Sequence, residues 1–313
     1  MKKILVTGSN GQIGAELVQR LRKIYGAENV VATDIHKIPG PVSEGGPFTV
    51  LDARDGRAAA DLLSSANTDT VIHLAGVLSA KGEANPLLAW DTNMNGLCAM
   101  LEAARANGCA FFFPSSISAF GGGTPARDTP QDTIQRPGTI YGVAKVAGEL
   151  LCDYYYMKYG MDTRGVRFPG LISYATPPGG GTTDYAVHIY REAAVKGKYT
   201  SYIGKGTHMP MMYMPDAIDA VVLLMEAEPQ KLRHRNAFNV AAMSFDPEDI
   251  AASIRKVIPN FVLDYDIDPV RQSIADSWPD SLDCSAAKAE WGFSPRYDLD
   301  AMTRDMLANV PKA

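Results

Sequence analysis

Ile4-Leu5-Val6-Thr7-Gly8-Ser9-Asn10-Gly11-Gln12-Ile13-Gly14 is the stretch whose reading decides the fold. Three consecutive apolar residues after Lys2-Lys3 predict a strand buried on both faces, the kind found inside parallel sheets. The glycines then predict a particular turn. Gly8 permits a tight bend, Gly11 lets bare backbone approach a pyrophosphate, and Gly14 allows close packing of the next helix. That helix is readable from Ile13, Leu17, Leu21 and Ile24, which share one face, and its first amides point at the anion. Val30-Val31-Ala32-Thr33 reads as a second strand ending on Asp34, about twenty residues past the last glycine, where a carboxylate accepts a hydrogen bond from an adenosine ribose. These are the parts of a dinucleotide site, with Asn10, Gln12 and Ile13 in the turn, and Asp34 favours NAD over NADP.

Working outward, strands are predicted near 48–51, at Thr70 to Ala75, at Ala110 to Phe113 and at Thr163 to Arg167, with helices near 55–65, 86–107 and 141–159. This βαβ succession predicts an α/β protein with a Rossmann-type, doubly wound parallel sheet. Ligand groups in such sheets gather at the carboxyl ends of the strands, which directs Asp52 and Ala53 to the adenine and Leu74, Ala75 and Gly76 to the phosphate and ribose. The expected organisation is an NAD-binding domain over 1–170 and a smaller substrate-binding lobe over 171–313. The two exchange segments, and Ala237-Phe238-Asn239-Val240 marks a return to sheet.

Tyr141-Gly142-Val143-Ala144-Lys145 puts a phenol and an ammonium on one helix face, because residues four apart are neighbours. A phenol titrates near ~10 and becomes a useful base only where a cation favours the phenolate, a role open to Lys145. Ser115 and Ser116 follow the strand Ala110 to Phe113, at the same rim, and one of the two hydroxyls can hydrogen-bond a substrate oxygen. Phenol, ammonium and serine beside a dinucleotide turn are the parts of an alcohol oxidation.

With 313 residues, 46% of them hydrophobic, the chain can bury a large core. Its net charge of −5 offers no attraction to nucleic acid or an anionic membrane. No signal region or bilayer-length apolar run is present, so the expected location is cytoplasmic. Cys98, Cys109, Cys152 and Cys284 lack metal or redox spacing and read as buried thiols; the five histidines form no i, i+4 pair, and no metal is expected.

Gly8-x-x-Gly11-x-x-Gly14, Ser115-Ser116 and Tyr141-x-x-x-Lys145 together resemble the extended short-chain dehydrogenase/reductase superfamily, which includes the UDP-galactose epimerases. The resemblance implies that Ser116 rather than Ser115 is catalytic, and that Lys145 also binds the nicotinamide ribose. It implies as well that Asn95 lies near Lys145 and that Arg167-Phe168-Pro169-Gly170 lines the nicotinamide side. Three further segments, 76–80, 176–186 and 209–217, resemble the short-chain type of NAD-dependent L-threonine 3-dehydrogenase. That likeness implies oxidation of the threonine side-chain hydroxyl to 2-amino-3-oxobutanoate, with Tyr141 as base. Ser79, Ser116, Tyr141, Thr182, Thr183 and Asp184 then meet the substrate, Trp278 covers the pocket, and the 179–181 glycines let a loop fold over it. It also implies a homodimer through the helices near 86–107 and 141–159. The methionines at 209–214 read mainly as packing, with Met211 or Tyr213 reaching the pocket. Two other readings stand beside this one: a UDP-sugar epimerase, and an NAD-sensing protein without catalysis.

Overall fold

Residues 1–311 are described by the computed structural model. The strands in chain order are β1 (Ile4–Thr7), β2 (Val30–Asp34), β3 (Phe48–Val50), β4 (Thr70–His73), β5 (Ala110–Ser116), β6 (Thr163–Phe168), β7 (Gly170–Ile172), β8 (Lys198–Ser201), β9 (Met209–Tyr213), β10 (Phe238–Asn239), β11 (Met243–Phe245) and β12 (Val262–Tyr265). The helices are α1 (Gln12–Tyr25), α2 (Pro41–Glu44), α3 (Gly56–Ser65), α4 (Ser79–Ala84), α5 (Pro86–Trp90), α6 (Gly96–Ala106), α7 (Ile140–Tyr159), α8 (Tyr185–Lys196), α9 (Met214–Glu226), α10 (Pro247–Arg255), α11 (Pro269–Asp276), α12 (Ser285–Trp291) and α13 (Leu299–Asn309).

Seven strands form one parallel sheet in the order β10-β6-β5-β4-β1-β2-β3. β1 lies in its middle, with Leu5 opposite Val31 on one side and Val71 on the other. Side chains alternate across the sheet, so Ile4 and Val6 join the core under α1 and α9, while Leu5 joins the core under α3 and α6. Phe112 and its neighbours Phe111 and Phe113 divide between the same two cores. Each such side chain, fully buried, contributes roughly 1.5–3 kcal/mol, which is why an unbroken apolar run marks a central strand.

The second half of the chain does not form one separate block. α9, β10 and α12 pack on or complete the sheet. A third core, centred on Tyr185, Tyr190, Met211, Tyr213 and Phe245, is built between α8, α10, α13 and the β11-β9-β7 sheet. Met209, Met211 and Met212 are wholly buried in it or beside it.

Two elements differ from the sequence-based expectation. β5 runs three residues beyond Phe113, because its pairing with β6 continues to Ser116 opposite Phe168. The helix expected over 86–107 is interrupted by a π-helical turn at Asp91–Asn95, and that wider turn rotates the asparagines relative to a regular helix. Among the described residues, no helix is long and apolar enough to cross a membrane.

Candidate active site

β5 and α7 bring the reacting side chains together. β5 ends in Pro114-Ser115-Ser116. Thr139 caps α7, its hydroxyl accepting a hydrogen bond from Gly142 N at 3.0 Å, so that Tyr141 falls in the first turn. Gly142 has no room for a side chain, since a Cβ would lie 2.5 Å from Pro137 Cβ; the start of the helix therefore packs directly on the loop after Ser116.

A cavity of about 480 Å³ opens at this rim. Gly8, Gly11, Gln12, Ile13 and Gly14 form one end, with Leu74 and Gly76 beside them. Ser116, Tyr141, Lys145, Phe168 and Pro169 form the middle, and Ser79, Thr182, Thr183, Asp184 and Trp278 the far end. All the residues expected to meet substrate thus border a single space.

The turn fits a dinucleotide. Gly8 has φ +66°, and a Cβ on it would stand 2.6 Å from Ala75 N, so only glycine allows this approach of β1 to β4. The Gln12 side-chain amide borders the cavity with its Nε2 buried and unpartnered among the described residues, a donor without an acceptor where a phosphate oxygen belongs. Asp34 accepts from Asn10 N at 3.0 Å and Ile35 N at 2.8 Å, and the Asn10 side chain donates to the His36 carbonyl at 2.7 Å. Asn10 therefore braces Asp34.

Six expected cofactor residues, Asn10, Asp34, Asp52, Ala53, Ala75 and Asn95, do not line the cavity. Ala75 lies behind Gly8, and Ala53 is a core residue. Asp52 is held by Arg54, whose hydrogen bonds and charge pull its carboxyl below the usual range. Asn95 turns away from Lys145: the π-helical turn points its amide at Asp91, 2.7 Å away, which also receives Arg54. Asn93 occupies the inner position instead, accepting from Val77 N at 2.7 Å and donating to Val77 O at 3.0 Å, and so clamps a loop that lines the cavity.

The adjacent serines have separate surroundings. Ser115 is buried and donates to the Glu149 carboxylate. Ser116 accepts from Ser118 N at 3.2 Å and has its hydroxyl next to Tyr141. Lys145 Nζ donates to the Pro114 carbonyl at 2.5 Å and stands 5.2 Å from the centre of the Tyr141 ring. Burial pushes the Tyr141 phenol up to about 12, with Ser116 opposing, and pushes the Lys145 ammonium down to about 8 against the pull of Glu149. In the protein without cofactor, burial is thus the dominant influence on the phenol, and the Lys145 ammonium is engaged by the Pro114 carbonyl. His73, below them, bonds Thr7 Oγ1 at 2.9 Å and is kept neutral, its burial lowering it to about 3.

At the far end, Asp184 accepts from Gly180 N at 2.8 Å and Gly181 N at 2.7 Å, so it organises its own loop. Thr182 is 1% exposed, and its hydroxyl has no partner among the described residues. Trp278 is buried against the same loop end. Met211 packs beneath Gly170 in the core rather than in the cavity wall.

Sequence reasoning missed Glu149, Asn93 and the cavity-lining Lys81. For Glu149 a signal existed, since it continues the spacing of four from Tyr141 through Lys145. Outside the cavity, Cys98 is exposed rather than buried, and Cys284 is half-buried. His208, Asp246 and Asp249 come together, but the two carboxylates cap α10 and bind its amides.

The chain is 60% identical to an L-threonine dehydrogenase from Clostridium difficile, with a TM-score of 0.98 over 99% of this chain and 98% of that one. It is 48% identical to the holo form of an L-threonine dehydrogenase from Cupriavidus necator, with a TM-score of 0.95 over 98% and 99% of the two chains. An uncharacterized epimerase/dehydratase of Staphylococcus haemolyticus is 59% identical over 312 residues, 99% of this chain and 98% of its own. The model of the NAD dependent epimerase/dehydratase family matches residues 4–241, from β1 through β10. With glycine turn, ribose acid, serine, tyrosine and lysine all inside that span, the chain belongs to the NAD-dependent epimerase/dehydratase family, and NAD is its cofactor.

Proposed function

We propose that the protein oxidises the side-chain hydroxyl of L-threonine to the ketone of 2-amino-3-oxobutanoate. The observation that carries this reading is that Ser79, Thr182, Thr183 and Trp278 border the same cavity as Ser116 and Tyr141. The unpartnered Thr182 hydroxyl gives that space a hydrogen-bonding demand which a compact zwitterion meets. A UDP-sugar would need cations for two phosphates. Among the described residues lining the cavity, the cations are Lys81 and Lys145, and Lys145 is engaged at Pro114.

Bound NAD supplies the acceptor for the hydride at nicotinamide C4 and a positive ring charge that favours the phenolate. Gly8, Gly11 and Gln12 hold its phosphates, Asp34 its ribose, and Phe168 and Pro169 border its reactive end. Tyr141 takes the substrate's hydroxyl proton as the Cβ–H bond electrons leave, and the C–O bond becomes a carbonyl. Lys145, protonated below about 8, stabilises the phenolate. Ser116 donates to the substrate oxygen throughout. Positioned acid–base help of this kind contributes roughly a hundred- to ten-thousand-fold. Residues 171–313 supply most of the substrate wall, and 1–170 the cofactor side.

A homodimer is part of the same proposal. Leu87, Leu150 and Met157 are 85%, 62% and 75% exposed on α5 and α7, with Leu88, Trp90 and Tyr154 also exposed. Covering such an apolar surface with a second copy removes it from water.

The test is NADH formation by the purified protein given NAD with L-threonine, L-allo-threonine or a UDP-sugar. Signal with L-threonine alone is expected. Conversion of a UDP-sugar to its epimer without net NADH, followed by chromatography of the sugar nucleotide, or cofactor binding with no turnover of any of these, would replace the reading.

A further inference from the structure

We propose that the buried Glu149–Arg167 ion pair is a positioning element for the reacting groups, balancing charge beneath Lys145 while tying β5 and β6 to α7. The inference rests on the role given above to Tyr141, Lys145 and Ser116.

Glu149 lies one helical turn beyond Lys145 on α7, and its side chain is 5% exposed. Both carboxylate oxygens are occupied. Oε1 accepts from Ser115 and from Arg167 Nε at 3.0 Å; Oε2 accepts from Arg167 Nη2 at 2.9 Å and Gln135 Nε2 at 2.8 Å. Arg167 in turn donates to the Gln131 carbonyl at 2.8 Å and Asn239 Oδ1 at 3.1 Å, and lies over the Phe120 ring. One carboxylate thus ties the ends of β5 and β6 to α7. Those are the segments that carry Ser116, the Phe168-Pro169 wall, and Tyr141 with Lys145.

Burying two full charges is costly, and an apolar pair of similar volume would often serve stability as well or better. The charge therefore calls for a use, and the nearest one is electrostatic. Few other charges face Lys145. From α7 come Tyr141 and the Cys152 thiol, raised by burial. From β4 comes neutral His73; from β5 come only the Phe113 ring and the Pro114 carbonyl. Arg167 on β6 reaches Lys145 through Glu149, which it binds. Glu149 favours the ammonium, and Arg167, by holding both carboxylate oxygens, limits that effect and keeps Glu149 from capturing Lys145 from the cavity.

The test compares wild type with Glu149→Gln, Arg167→Met and the double variant. The 13Cε resonance of Lys145, assigned with Lys145→Met, is titrated in the NAD-free protein between about pH 6 and about pH 10, the range spanning a lysine lowered by burial. Glu149→Gln is expected to move the midpoint down and Arg167→Met to move it up, each by about one pH unit, with the double variant returning toward wild type. The pH profile of kcat should follow in the same directions. A merely structural pair would lower thermal stability and move both midpoints alike or not at all, and that result would overturn the proposal. Should Arg167→Met not fold, Arg167→Lys keeps the charge and is expected to leave the midpoint in place; a fall matching that of Glu149→Gln would sink the idea. Because the resonance needs no substrate, a failure of threonine oxidation and a failure of this inference are separately visible.

Discussion

Ser115 and Ser116 are neighbours in sequence, yet their replacement by alanine should separate stability from turnover. Ser115→Ala removes a buried hydroxyl that donates to the Glu149 carboxylate. Hydrogen bonds to charged groups contribute about 1.5–3 kcal/mol. Glu149 keeps three other donors from Arg167 and Gln135, so the lower end of that range applies. At roughly 2–4 °C per kcal/mol for a large domain, Tm should fall by about 3–6 °C. The kcat of folded Ser115→Ala should stay within about threefold of wild type, since this hydroxyl serves Glu149 and not the substrate. Ser116→Ala removes only the cap over Ser118 N, worth about 1 kcal/mol or less. Loss of a donor to the reacting oxygen should nevertheless lower kcat by about a hundred- to a thousandfold. Scanning calorimetry and initial rates of NADH formation on the same preparations decide the matter. A Ser115→Ala protein of wild-type Tm and collapsed kcat, or a Ser116→Ala protein of unchanged kcat, would refute the division of roles.

Tyr141→Phe keeps the ring and removes the proton acceptor, so NAD affinity by fluorescence titration should be retained while turnover drops by about a hundredfold or more. Gly170→Ala would place a Cβ 2.9 Å from Thr183 Cβ and against the Met211 sulfur, displacing the substrate wall. KM for the small substrate, read from initial rates at saturating NAD, should rise by about tenfold or more. His73 titrates at about 3 in the folded protein instead of its ordinary 6.5. Between those values the unfolded chain holds more protons, so His73 costs nothing above about 6.5 and destabilises progressively as pH falls toward about 3. Urea unfolding of His73→Asn should therefore lose less stability than wild type between about pH 7 and about pH 4, and an equal loss would contradict the assignment.

The sequence by itself determined the sheet and the turn. Ile4-Leu5-Val6 reads as a strand buried on both faces, and the glycines at 8 and 14 stand where close backbone approach leaves no room for a Cβ, Gly8 also having a φ of +66°. Tyr141 and Lys145 were equally readable, because four-residue spacing on a helix is a local fact. Tertiary structure decided everything that depends on which surfaces meet. Ser115 and Ser116 are chemically identical in sequence and part only because alternate residues of β5 face opposite ways, one toward Glu149 and one toward Tyr141. Asn93 and Asn95 exchange places because a π-helical turn changes the angular step between them, which spacing alone does not encode. Burial is the dominant influence on the Tyr141 phenol. Local periodicity places a residue on a face, whereas its charge state and its partner depend on the low-dielectric surroundings assembled by segments such as β5, α7 and residues 179–184, which are distant in sequence.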